Sequence, residues 1–194
     1  METDEERAAD APLTIYTIGH SNQPMERFLA LLERHGIQIL ADVRSQPYSR
    51  YVPHFNQVSL EDAVERRGIQ YLFLGQELGG RPIGDEFYDA EGYVLYGVVA
   101  EAPFFRRGIE RLKDEAALSR VAVMCSEEDP TNCHRRLLIA RVLAGEDVRV
   151  LHLRSDGAIQ EASAFEVPSQ AATQLSLFDA GDAGGAAEGV EGKD

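Results

Sequence analysis

The densest run of reactive side chains is Cys125-Ser-Glu-Glu-Asp-Pro-Thr-Asn-Cys133-His134-Arg135-Arg136. It brings two thiols, an imidazole, two guanidiniums and the carboxylates of Glu127, Glu128 and Asp129 into one short segment. Cys133 falls where a helix is expected to begin, and the partial positive charge there favours a thiolate or a bound anion. The free N–H groups of such a helix end, joined by Arg135 or Arg136, can hold a phosphate or carboxylate. Three chemistries follow. Cys125, Cys133 and His134, with His20 or His54, can bind zinc; Cys125 can be a nucleophile with histidine as its base; or the cysteines are small packing residues beside a site worked by Asp42, Glu127, His134 and arginines. Cys-x7-Cys-His lacks the close spacing of zinc knuckles, so no metal ligands are assigned and the third reading is preferred. No cofactor can be named.

The remaining candidates share a position. His20-Ser21 follows the first apolar run, Asp42 and Arg44 the second, Gly79-Gly80-Arg81 the third, and Cys125 with Glu127 the fourth. Ligands of open parallel sheets bind at the carboxyl ends of the strands, so these residues predict one shared cleft. In it, Asp42 or Glu127 is the expected general base or acid, and His20 and His134 are proton shuttles or orienting groups. Arg44, Arg81 and Arg135 are expected on phosphate, with Ser21 and Cys133 completing the binding surface. Tyr48, Tyr51 and Phe55, in the loop after the second run, can stack on an extruded base or serve as lid packing.

The elements that position these groups alternate. Short, β-branched-rich runs predict strands over Leu13–Ile18, Ile37–Val43, Ile69–Leu74 and Arg120–Met124. Between them, a helix runs from about Pro24 to Gly36, capped by Ser21 or Asn22, and another runs from Ser59 as cap to Arg67, stopped by Gly68. Ser45–Asn56 and Gly75–Pro82 read as irregular loops, and Tyr93–Leu118 as helix broken at Pro103. A helix over Cys133–Leu143 ends at Gly145. Val148–Leu153 and Ala158–Glu161 then form a hairpin with a type I′ turn at Asp156-Gly157. The pattern predicts an α/β, Rossmann-like, mainly parallel sheet with helices on both faces and a C-terminal antiparallel hairpin. Residues 12–167 form this single domain, flanked by an acidic N-terminus over 1–11 and an acidic tail over 168–194, both expected to be disordered.

Charge narrows the partners. The formal net charge of −14 is uneven: residues 1–10 and 169–194 each carry −4, which leaves −6 on the domain. That argues against tight, indiscriminate binding to a phosphate backbone, which needs a broad cationic face, though a small arginine-lined site remains open. No apolar run approaches the length of a membrane span, and the acidic start is unlike a signal peptide. Two cysteines are too few for a secreted disulfide framework, so a cytoplasmic location is expected.

Tyr16-Thr-Ile-Gly-His-Ser21, Asp42-Val-Arg44 with Pro47 and Ser49 behind it, Leu78-Gly-Gly80, and Cys125-x-Glu127 followed by Cys133-His-Arg135 resemble the family catalogued as domain of unknown function 488. The resemblance covers residues 13–165 and implies a small cytosolic Rossmann-like domain whose site is formed by those motif residues. It implies no reaction.

The tail supplies a biological context. Gln174-Leu-Ser-Leu-Phe178 resembles the pentapeptide by which bacterial polymerases and repair proteins dock on the replicative sliding clamp. Leu177 and Phe178 offer apolar anchors, Leu175 a further contact and Gln174 a hydrogen bond at the rim. Tethering concentrates a domain near DNA without a large basic surface, which suits an acidic core. The leading expectation is therefore a clamp-delivered DNA repair or processing enzyme that hydrolyses a glycosidic or phosphodiester bond. The alternatives are a non-enzymatic nucleotide- or DNA-binding accessory, and a thiol or zinc enzyme unrelated to DNA.

Overall fold

A computed structural model of the chain describes residues 12–162, so the acidic N-terminus, the end of the expected domain and the Gln174–Phe178 peptide lie outside the described residues. The elements are β1 (Thr14–Gly19), α1 (Met25–Arg34), β2 (Ile39–Asp42), α2 (Gln57–Glu65), β3 (Gln70–Phe73), a single turn α3 (Gly75–Leu78), α4 (Tyr96–Glu101), α5 (Pro103–Leu118) and β4 (Val121–Cys125). A π-helical segment, Arg135–Ala140, then runs into α6 (Arg141–Ala144), followed by β5 (Arg149–Leu153) and β6 (Ile159–Glu161). Six strands form one sheet in the order β3-β2-β4-β1-β5-β6, parallel except for the antiparallel β5–β6 pair at one edge. This is the expected α/β architecture.

Strand periodicity explains why both faces are covered. Alternate residues of a strand point to opposite sides, so a central strand buried on both must be apolar throughout. β4 meets that demand, with all five of its residues buried. Val121, Val123 and Cys125 join Ile39, Ala41, Val43 and Val150 against Phe105, Ile109, Leu112, Leu138 and Leu143. Ala122 and Met124 join Ile18, Leu40 and Leu153 against Phe28, Leu29, Leu32, Phe55, Leu60 and Val64 of the other face. Each such large side chain, fully buried, contributes about 1.5–3 kcal/mol.

Several boundaries differ from expectation. Neither Ser21 nor Asn22 caps α1; Pro24 is the N-cap and no side chain caps it. Ser21 instead has a φ of 48°, as the strand end turns sharply toward the helix. Helix α2 starts after Asn56 rather than at Ser59, and the loop beyond β3 begins with the helical turn α3. Pro103 does break the long helix, standing at the first position of α5, where its missing N–H costs nothing. The terminal hairpin is not type I′. That turn requires positive φ at both central residues, whereas Ser21 and Asp147 are the only non-glycines with positive φ among the described residues. Arg154 N donates to Ala158 O and Gly157 N to Arg154 O, both at 2.9 Å, with Gly157 at φ 86°. These bonds close a three-residue loop whose glycine takes the left-handed position.

Candidate functional site

Backbone hydrogen bonds hold the ends of the three central strands side by side. His20 N donates to Cys125 O at 3.0 Å, Ser21 N to Ser126 O at 2.7 Å, and Val43 N to Met124 O at 3.1 Å. Gly19 permits this closeness, because a Cβ there would run into the Glu127 carbonyl. Two polar groups result, one on each face of the sheet.

The first group lies on the α1–α2 side. Arg44 donates from Nε to Asp42 Oδ1 at 2.9 Å and from Nη2 to Oδ2 at 2.6 Å, and its backbone N–H reaches Oδ1 at 3.1 Å. Tyr71 Oη donates to Asp42 Oδ2 at 2.7 Å from the neighbouring strand. Asp42 is wholly buried and Arg44 nearly so. His20 stacks on Phe55, with ring centroids 4.3 Å apart. Its Nδ1–H donates to Ser21 O at 2.6 Å, which leaves Nε2 to accept from Arg44 Nη1 at 3.2 Å. Burial first, and then the Arg44 charge, lowers its pKa to about 4, so the ring is neutral at pH 7. His20 and Asp42 together fix the guanidinium of Arg44.

The second group lies on the α5–α6 side. Cys125 Sγ is 3.6 Å and Cys133 Sγ 3.9 Å from His134 Nδ1. Glu127 Oε2 lies 3.0 Å from the Cys125 sulfur and 3.3 Å from that of Cys133. His134 Nε2 donates to Val43 O at 3.2 Å, which turns Nδ1 toward the sulfurs. A hydrogen bond from Cys133, then the charge and hydrogen bond of His134, pull the Cys125 thiol well below its usual range. Burial, followed by interaction with Cys125, pushes Cys133 well above it. Burial opposes charge on His134, but the Cys125 sulfur outweighs it and the pKa rises. Glu127 is raised by burial and then by Cys125.

Both groups meet in one cavity of about 250 Å³ at the carboxyl edge of the sheet, lined by Arg44, Ser45, Gln46, Gly80, Arg81, Cys125, Ser126, Glu127 and His134. The predicted Arg44, Arg81, Cys125, Glu127 and His134 therefore share a cleft. Asp42 and His20 stand behind Arg44 rather than in the lining, and Cys133 stands behind Cys125 as a buried thiol. Ser21 lines a separate hollow of about 310 Å³ with Gln23, Arg27, Glu128 and Ser155. Arg135 is turned inward and fully buried, donating from Nη2 to Glu128 O at 2.6 Å, so it does not reach the cavity. Tyr48 and Tyr51 are exposed on the loop beyond Gln46. Phe55 is committed to His20 and the core, and His54 Nε2 donates to Gln23 O at 3.1 Å, apart from the thiols. Sequence reasoning missed Tyr71 and the Val43 carbonyl. Tyr71 had a signal, the lone hydroxyl in an apolar strand; a main-chain acceptor leaves none.

The family described as "Domain of unknown function DUF488" matches residues 24–142. The chain belongs to this family. No curated protein and no solved structure matches it. The match spans α1 to α6 and so includes Asp42, Arg44, Gly80, Arg81, Cys125, Glu127, Cys133 and His134, every residue of the two polar groups except His20. Among the described residues, no helix of this DUF488 chain is long and apolar enough to cross a membrane.

Proposed function

We propose that this DUF488 protein is a hydrolase acting on a phosphate-bearing nucleic-acid substrate, at a glycosidic or phosphodiester bond, and that its tail docks it on the sliding clamp. One observation carries the reading: two arginines and the carboxyl group of Glu127 line a single cavity, with the His134 imidazole beside them. Arg44 is held rigid by Asp42 and His20, so its charge needs no reorganisation when an oxyanion develops beside it. Arg81 is exposed and supplies a movable partner for phosphate. Glu127 is placed to take a proton from an attacking water or give one to a leaving group. The exposed rings of Tyr48 and Tyr51, on the loop that follows the cavity residue Gln46, suit stacking against bases. The peptide Gln174–Phe178 supports delivery to DNA; cytoplasmic residence is part of the same reading.

The test is turnover of labelled single- and double-stranded oligonucleotides, carrying abasic, damaged or mismatched sites, by the full chain and by Glu127→Gln. Cleavage that Glu127→Gln abolishes while binding persists supports the reading; binding without turnover of any substrate makes the protein a recognition module instead. A pull-down on the clamp, with Leu177→Ala/Phe178→Ala as control, tests delivery, and equal recovery of both chains defeats it.

A second reading rests on the 3.6 Å between Cys125 Sγ and His134 Nδ1. A thiolate with an imidazole oriented by a main-chain carbonyl is also the arrangement of a nucleophilic cysteine and its base. It predicts selective alkylation of Cys125 by iodoacetamide and loss of turnover in Cys125→Ser.

A further inference from the structure

We propose that Cys125, Cys133 and His134 are the ligands of a zinc ion. The three ligand atoms lie within 4.8 Å of one another and all three residues are buried. A nucleophilic dyad needs one thiol; here a second, equally buried thiol faces the same imidazole nitrogen. The spacing has a physical meaning. Zinc bound tetrahedrally at about 2.3 Å from sulfur and about 2.0 Å from nitrogen fixes sulfur–nitrogen edges of about 3.5 Å. The observed separations are 3.6 and 3.9 Å.

The surroundings agree. A ligating histidine commonly gives its second N–H to a carboxylate or backbone carbonyl, which fixes the tautomer and aims the other nitrogen at the metal. His134 does this through Val43 O, at 3.2 Å. The ligands come from a strand end and a helix start, so the seven-residue gap between the cysteines is a loop and not a knuckle. Two thiolates and an imidazole are a donor set that selects zinc over magnesium or calcium, which take oxygen ligands. Cys125 and His134 also line the cavity, with Glu127 beside them, which is the layout of a catalytic ion with three protein ligands and a position open to water or substrate. That catalytic role rests on the hydrolase reading above; the metal site does not.

The experiment uses the full chain expressed with added zinc, dialysed, and assayed for bound metal, then stripped and titrated with zinc alone and with cobalt(II) alone. The expected result is about one zinc per chain, with cobalt giving the visible bands of tetrahedral sulfur coordination. Cys133→Ser removes a ligand and should weaken zinc binding by more than the roughly 10- to 100-fold that loss of an outer-shell partner costs. A circular dichroism spectrum identifies any variant that fails to fold, and the cobalt spectrum of the wild type needs no variant. A wild-type chain that takes up neither metal, with both thiols titrating freely, overturns the site. Oligonucleotide turnover is scored separately: zinc without turnover removes the hydrolase reading alone, and turnover by a metal-free chain removes the ion's catalytic role and leaves a structural metal site, which the uptake measurement decides.

Discussion

Arg44 and Asp42 form a salt bridge of 2.6 Å in which neither side chain retains more than 5% exposure. Tyr71 Oη supplies a further hydrogen bond to the same carboxylate at 2.7 Å. Breaking a buried pair from one side leaves the other charge without compensation. Asp42→Asn should therefore destabilise the domain by about 3–5 kcal/mol, read as the shift in its urea midpoint. Tyr71→Phe removes one charge-assisted hydrogen bond and should cost about 1.5–3 kcal/mol. Unchanged midpoints in both would mean that Asp42 does not anchor Arg44.

Arg81 differs from Arg44 in being exposed. Its backbone N–H is held by Ser45 Oγ at 3.0 Å, which a side-chain truncation leaves intact. Arg81→Ala should thus change stability by no more than about 0.5 kcal/mol. If Arg81 contacts phosphate, the same variant should weaken oligonucleotide binding uniformly across sequences and lower its salt dependence by about one ion. Wild-type affinity and salt slope in Arg81→Ala would remove it from the binding surface.

The sheet was legible because burial on both faces leaves a continuous apolar signature, clearest in Val121–Cys125, and because each strand stops at a polar motif. Convergence of those motifs follows from parallel strands sharing one carboxyl edge. Which motif residues face the cavity was not legible. Arg135 sits one residue beyond His134, yet a helical step of roughly 100° carries it into the interior. Asp42 reads as a general base until its Arg44 and Tyr71 partners are seen, and those depend on register across strands. The hairpin turn failed for a local reason, since Asp156-Gly157 suits type I′ but equally well ends a three-residue loop with glycine last.

His152 provides a pH dependence away from the cavity. It pairs with Thr17 in the β1–β5 register, and its Nδ1 lies 2.7 Å from Thr17 Oγ1. Burial, then the charges of Arg135 and Arg136, lowers its pKa from 6.5 to about 4. Above pH 6.5 the ring is neutral folded or unfolded, and its contribution is intact. As the pH falls from 6.5 toward 4 the unfolded chain takes up a proton that the folded chain refuses, so stability drops; below 4 the loss levels off. The loss attributable to this ring is at most about 3 kcal/mol. Urea midpoints at pH 7.5 and 5 should therefore differ, and His152→Gln should shrink the difference without abolishing it, because His20 is lowered in the same way. A slope identical to wild type in His152→Gln would contradict the assignment.

Gly80 fixes the position of His134 from the opposite side. A Cβ at this glycine would come within 2.8 Å of His134 Cγ and 2.9 Å of Nδ1. The imidazole is poorly able to yield, since Val43 O holds its far nitrogen and the two sulfurs face its near one. Gly80→Ala should accordingly cost about 1–3 kcal/mol by overpacking and displace the His134 side-chain resonances. Gly97, in α4, is the control: a Cβ there meets nothing within 4 Å, and alanine suits a helix better than glycine. Gly97→Ala should leave the His134 resonances in place and stability unchanged or slightly raised. If the two substitutions behaved alike, Gly80 would be a loop glycine with no hold on the imidazole. If only Gly80→Ala moves the ring, and zinc affinity falls with it, the glycine motif after β3 is there to set where the nitrogen of His134 points.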